Sequence, residues 1–365
     1  MFDRRLLTYF DWGLALTILG LGCLSVVSIY GANAPTASIF RQGLPLRQLT
    51  WLGAGVVVLI LSCTVSYRNL ARFAYAFFWF CLASLVLVLV LGKVGFGAQR
   101  WIKIGFITFQ PSELMKLGLV LFLARYFDDH RETLQQPRTM LLPAGCTLLC
   151  ALLVLKQPDL GTALLLVFIG LTMMLLLGLH WRYLLPLVIG GGVLAPILWN
   201  FLKEYQRRRI LVFLNPDMDP LGASYHIAQS LIAVGSGGAF GKGFLAASQS
   251  QLNFLPMNHT DFLFAVLAEQ WGFVGCLVVL LAYVYLVTRG LQIAGDAPDF
   301  FATLLATGVS SMLAIQVFIN VSMVLGIMPI VGIPLPLLSY GGSSLLVTML
   351  SMGLLLNIHM RRFMY

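Results

Sequence analysis

Uninterrupted apolar runs of roughly 16 to 25 residues recur along this chain, each long enough to cross a bilayer as a helix. Hydrocarbon offers no partner to a backbone N–H or C=O, so such runs fold as membrane helices that satisfy those groups internally. Of 365 residues, 59% are apolar and 10% are charged, against roughly 25% charge in a soluble chain. That excludes a soluble enzyme, a secreted disulfide scaffold and a disordered chain. The net charge of +9 is not a nucleic-acid signal, because the basic residues flank apolar runs and so set orientation. The cysteines (Cys23, Cys63, Cys81, Cys146, Cys150, Cys276) lie inside those runs, without metal-ligand or disulfide-framework spacing. Arg4 and Arg5 precede a run, but Asp11 intervenes and no small-residue cleavage pattern follows, so the first run reads as a retained helix.

Ten spans are predicted, at roughly 12–30, 48–65, 74–92, 111–126, 139–156, 161–178, 183–201, 261–286, 300–325 and 343–358. The class is an all-α polytopic membrane protein, with residues 1–365 as a single integral membrane domain. Placing the N-terminus in the cytoplasm puts Arg68, Arg72, Arg125, Arg131, Arg138, Arg182, Arg289, Arg361 and Arg362 inside. The short outside loops then carry fewer basic residues: Arg41, Arg47, Lys93, Arg100, Lys103 and Lys156. An even span count leaves both termini cytoplasmic and one large extracytoplasmic loop, 202–260. That loop opens on a basic run ending Arg207-Arg208-Arg209, which binds anionic groups or anchors a helix end. It continues through Gly235-Ser236-Gly237-Gly238 and Gly241-Lys242-Gly243, and reads as short interfacial helices joined by turns.

Polar residues next to hydrocarbon are expensive and therefore candidates for function. Glu113 and Lys116 lie i,i+3 after Pro111, on one face of a helix start. They either fix packing or face substrate. Arg100, beside Trp101, either clamps a phosphate at headgroup level or snorkels. Asp159, in Gln157-Pro158-Asp159-Leu160-Gly161-Thr162, either caps the following helix or joins the site. Asp261, in His259-Thr260-Asp261-Phe262, stands at a membrane boundary, and Glu269 follows two turns deeper, about 80 degrees around the helix. Partial desolvation would raise such a carboxyl toward the range useful to an acid or base. The stretch from Gly326 to Ser343 is apolar but broken by Pro329, Pro334 and Pro336, and such backbone at membrane depth must be buried in protein or line a cavity.

Seven ordered motifs carry a family resemblance: Gly97-Ala98-Gln99-Arg100-Trp101, Phe109-Gln110-Pro111-Ser112-Glu113, Lys156 to Thr162, Asp219 to His226, Gln249 to Pro256, His259 to Phe262, and Pro334 to Ser343. In these the chain resembles the SEDS family (shape, elongation, division and sporulation proteins), and its elongation branch more than its division branch. The resemblance implies a peptidoglycan glycosyltransferase of the bacterial inner membrane. Such an enzyme joins lipid II disaccharides by β-1,4 bonds on the periplasmic face and releases undecaprenyl diphosphate. It also implies lipid II and a nascent glycan strand as substrates, a class B penicillin-binding protein as partner, and contacts with the elongation complex of MreC, MreD and MreB.

The family's essential aspartate falls at Asp261, expected to be catalytic, and its intramembrane pair at Glu113 and Lys116. Arg100, Asp159, Lys242, Glu269 and Ser339 join that pair as expected substrate contacts. A divalent cation, magnesium or manganese, could share the neutralisation of diphosphate, but no ligand cluster is visible; no organic cofactor is expected. Two other classes compete: a lipid II transporter, expected to show internal repeats and broken helices, and a scaffold that only recruits a transpeptidase.

Overall fold

The computed structural model describes residues 8–32, 43–95, 98–104, 107–134, 136–177, 200, 204–215, 222–245 and 259–363. Among these residues the helices are α1 (Trp12–Ala32), α2 (Leu44–Thr64), α3 (Tyr67–Leu91), α4 (Pro111–Asp129), α5 (Pro137–Lys156), α6 (Leu160–Leu176), α7 (Glu204–Leu214), α8 (Ala223–Ser236), α9 (Leu263–Gly295), α10 (Phe300–Val324) and α11 (Gly342–Arg361). Seven of them (α1, α2, α3, α5, α9, α10 and α11) are long and apolar enough to cross a membrane. Helices α4 and α6 coincide with two further predicted spans. The predicted span 183–201 lies, apart from Asn200, outside the described residues.

Two helices start before the expected boundary, each for a local reason, and a third ends well beyond it. Helix α2 starts at Leu44, where a proline suits the first turn because its missing N–H would have no partner anyway. Helix α3 starts at Tyr67, inside a stretch expected to be loop, because the Ser66 side chain caps it by accepting from the Arg68 N–H. Helix α9 runs on to Gly295. A small antiparallel sheet, unforeseen in an all-α reading, joins α3 to α4: β1 (Lys93–Gly95), β2 (Ala98–Ile104) and β3 (Ile107–Phe109), with Val94 opposite Gln99 and Lys103 opposite Thr108. Within segment 202–260 the described residues form α7 and α8, in line with short helices joined by turns.

The arrangement of helices inverts simple intuition. The helix that starts with Glu113 and Lys116, α4, is enclosed along nearly its whole length, packed against α3, α6, α10 and α11. The apolar helices α2 and α3 turn large side chains such as Ile60, Leu61, Trp79 and Phe80 outward, as lipid contact permits.

Helix α9 is broken at Gly272, whose φ of 68° and ψ of −164° are open to glycine and strained for other residues. The segment after α8 plugs the break. Phe273 and Val274 donate their N–H groups to the carbonyls of Gly238 and Ala239 at 2.9 and 3.1 Å. Lys242 and Gly243 donate theirs to Glu269 and Gln270 at 2.9 and 3.1 Å. Backbone groups freed by the kink are thus satisfied within the protein.

Between α10 and α11 the apolar, proline-broken segment has no regular secondary structure. Side chains from four helices hold its carbonyls: Asn320 on Ile333 at 2.7 Å, Tyr283 on Pro336 at 2.5 Å, Ser25 on Leu338 at 2.5 Å and Gln48 on Ser339 at 3.5 Å. This is the protein-buried irregular backbone that the sequence required.

Candidate active site

Asp261 lies in the turn that leads into α9, partly buried. Three consecutive carbonyls of this turn are held from outside it. The Tyr340 N–H donates to His259 at 2.9 Å, the Ser339 hydroxyl to Thr260 at 2.5 Å, and the Asn320 amide to Asp261 at 3.0 Å. The carboxylate faces Gly332: a Cβ at that glycine, where φ is 74°, would stand 3.4 Å from Asp261 Oδ2. A glycine there keeps the approach to the carboxylate open.

Charged residues gather on Asp261 from three other elements: Arg209 of α7, Asp159 before α6 and Arg100 of β2. Burial pushes the Asp261 carboxyl up to about 6, Arg209 and Arg100 pull it back, and the Asp159 charge adds to the rise. The two arginines are anchored to the scaffold. Arg209 donates to the Ile330 carbonyl at 3.1 Å. Arg100 donates to the carbonyl of Gln157 at 3.1 Å and to that of Pro158, and stands 3.8 Å from the Asp159 carboxylate. Asp159 is buried and caps the following helix, one of its two expected roles, accepting from the Thr162 N–H at 3.2 Å and the Thr162 hydroxyl at 3.0 Å. It also accepts from the Gln110 side chain at 3.4 Å. Gly161 lets this helix start pack against the segment beside Gly332, since a Cβ there would meet the Val331 carbonyl at 2.5 Å.

The other candidates divide. Glu113 and Lys116 pair with each other at 2.7 Å, with side chains 6% and 2% exposed, and lie inside the bundle. Lys242 reaches down to Glu269 at 2.9 Å, and Glu269 is fully buried, so this pair belongs to the plugged break in α9. The Ser339 hydroxyl is engaged with backbone on both sides, donating to Thr260 and accepting from Leu335 at 2.9 Å. Two contributors were not singled out in the sequence. Arg209 is one arginine of the basic run Arg207-Arg208-Arg209, and nothing in the local sequence singles it out. Asn320 lies in an otherwise apolar helical run, where no local pattern marks it. Among the described residues no group of three His, Cys, Asp or Glu side chains converges as a metal site would.

Known proteins share this architecture over nearly its full length. The chain is 41% identical over 357 residues to the peptidoglycan glycosyltransferase MrdB of Escherichia coli strain K12, covering 97% of this chain and 94% of that one. A chain from a peptidoglycan synthase complex, solved to show how polymerization and crosslinking are coordinated, superposes with a TM-score of 0.83 at 36% identity, covering 98% of this chain and 99% of that one. The rod shape determining protein RodA of Thermus thermophilus superposes with a TM-score of 0.73 at 34% identity, covering 97% and 98% of the two chains. The family model of the cell cycle proteins FtsW, RodA and SpoVE matches residues 11–363, and the chain belongs to that family.

Proposed function

We propose that this protein is a peptidoglycan glycosyltransferase that joins lipid II disaccharides into glycan by β-1,4 bonds, with Asp261 as general base. The observation that carries the site assignment is the raised Asp261 carboxyl, faced by a glycine and by two scaffold-anchored arginines. The 4-hydroxyl of an acceptor sugar attacks the anomeric carbon of the donor while Asp261 takes the hydroxyl proton. The carbon–oxygen bond to undecaprenyl diphosphate breaks, and the α-linked donor yields a β bond by inversion. Diphosphate leaves as an anion, so it needs charge neutralisation more than a proton, and Arg100 and Arg209 are the groups placed to give it.

Asp159 serves this reading as the residue that holds Arg100, and Ser339 as one that holds the Asp261 turn. Glu113–Lys116 and Lys242–Glu269 are assigned to structure. A magnesium or manganese ion fits only as a companion of the substrate's diphosphate, because Asp159 is occupied by Thr162 and Arg100 and no three-ligand group converges among the described residues. No step depends on it.

The protein is a multi-pass inner-membrane protein. The proposed orientation has both termini cytoplasmic and the Asp261 end periplasmic. It is supported by Arg68, Arg361 and Arg362 at the opposite ends of α3 and α11, with Arg68 and Arg362 paired to Asp299 and Asp296 between α9 and α10. A class B penicillin-binding protein is the proposed partner, a reading supported by the likeness to a synthase complex that couples polymerization to crosslinking. MreC, MreD and MreB complete the proposed assembly. The broken α9 is a feature that a lipid II transporter would also have, but here backbone from the segment after α8 fills the break.

The test is polymerisation of purified lipid II by the full chain, alone and with its transpeptidase. Asp261→Asn is expected to lower turnover by at least about a hundredfold. Arg209→Ala and Arg100→Ala are expected to lower it about ten- to a hundredfold, each with partial recovery on substitution by lysine. Parental turnover by a folded Asp261→Asn protein would sink the assignment.

A further inference from the structure

We infer that Asn320 is a positioning residue for the reaction, tying the turn that carries Asp261 to the segment that walls it. This inference rests on Asp261 being the base. Asn320 sits near the end of α10 and is fully buried. Its side-chain nitrogen has two hydrogens to give. One goes to the Asp261 carbonyl at 3.0 Å and the other to the Ile333 carbonyl at 2.7 Å. Those carbonyls belong to different segments, and Ile333 directly follows Gly332, the residue that faces the carboxylate. A single amide therefore fixes how far the carboxylate stands from its wall.

A purely space-filling role would not call for an amide, since an apolar side chain there costs no polar burial. An asparagine stands here although its Oδ1 is buried without a hydrogen-bond partner among the described residues. A cost of that kind is justified where the two donated bonds are needed. The neighbouring clamps work on the same turn. Tyr340 acts through its main chain, which substitution leaves in place, and Ser339 bonds Thr260 one residue upstream. Asn320 reaches the residue that itself bears the carboxylate.

The consequence is electrostatic as well as geometric. The charged groups facing Asp261 are Arg209 on α7, Asp159 before α6 and Arg100 on β2, and the His259 ring lies against Tyr340 on the adjoining turn. Loosening the turn from its wall lets water reach the carboxyl and weakens the burial that holds its proton affinity up. A base with lower affinity stays ionised to lower pH, so the acidic limb of the rate profile moves down.

The experiment measures polymerisation of purified lipid II by the full-length protein in lipid nanodiscs, from about pH 5 to 8, with kcat and KM separated. Asn320→Ala is expected to lower kcat about ten- to a hundredfold with KM within about twofold, since small misplacements of a reacting group cost that much. Its acidic limb is expected to move down by at least about half a pH unit. Asn320→Gln, which keeps the amide on a longer arm, should restore part of both. Ser310→Ala, which removes a buried hydroxyl bonded to Ala306 on the same helix, should leave the limb in place.

Parental kcat in Asn320→Ala, or reduced kcat with an unmoved acidic limb, overturns the inference. If the alanine variant does not fold, Asn320→Gln decides alone, and an unmoved limb there overturns it equally. An inactive Asp261→Asn combined with an unmoved limb in the Asn320 variants removes the positioning role and leaves the base assignment standing. An active Asp261→Asn removes the base itself.

Discussion

Lys242 Nζ stands 2.9 Å from Glu269 Oε1 across the break in α9, and the main chains of the same two residues are hydrogen-bonded at 2.9 Å. The Glu269 carboxylate is fully buried while the Lys242 side chain is 32% exposed. The lysine therefore reaches inward from the surface to neutralise a charge that hydrocarbon would not tolerate. Removing the lysine leaves that charge poorly compensated, which costs more than removing the charge itself. Lys242→Ala is expected to destabilise the purified protein by about 1–3 kcal/mol, Glu269→Gln by less, and the double variant by less than Lys242→Ala. Thermal unfolding in detergent reads all three, and additive losses would separate the two residues.

Gly272 carries the kink itself. A Cβ there would lie 2.3 Å from the Gly241 nitrogen in a backbone conformation that side chains rarely adopt. Gly272→Ala is expected to cost upward of about 3 kcal/mol, combining strain with loss of the plugging bonds. A folded variant with a parental unfolding midpoint would show that the break is not needed.

Asp261 should trade stability for activity. Its folded carboxyl, pushed up to about 6 from an ordinary 3.8, binds a proton more tightly than in the unfolded chain. Between those values the folded state holds more protons, so stability falls as pH rises through that window and stays lowered above it. The cost at neutral pH is about 3 kcal/mol at most. Asp261→Asn should remove much of that cost and raise the unfolding midpoint above pH 6, while leaving it nearly unchanged below pH 4. Polymerisation by the parental protein should fall as pH drops through about 6.

The Glu113–Lys116 pair separates a packing role from a substrate contact. Lys116→Met strands a buried carboxylate and is expected to cost about 3–5 kcal/mol; Glu113→Gln with Lys116→Met should recover most of it. Recovery of stability together with polymerisation makes the pair structural. Recovery of stability without polymerisation gives the pair a part in the reaction, whatever its depth in the bundle.

What could be read from the sequence depended on the range of the interaction. The cap made by Asp159 on Thr162 and the pairing of Glu113 with Lys116 each span three residues, and helical spacing made both legible. The helix start at Tyr67 was missed because Arg68 and Arg72 made an amphipathic first turn look like loop. Strands β1 to β3 were missed because each is too short to show alternation against a strongly apolar background. Lys242 and Glu269 were both named, but their partnership spans 27 residues and depends on a kink that Gly272 alone does not announce. Asn320 escaped because its value lies in which two carbonyls it reaches, and no local pattern encodes that.

The irregular segment between α10 and α11 also sets a schedule. Ser25 and Gln48 hold carbonyls that lie 313 and 291 residues later in the chain. During synthesis these two side chains enter the membrane long before their partners exist. The segment beside Asp261 is fixed only when the ribosome has passed Ser339, so an incomplete chain carries the carboxylate without the backbone that faces it.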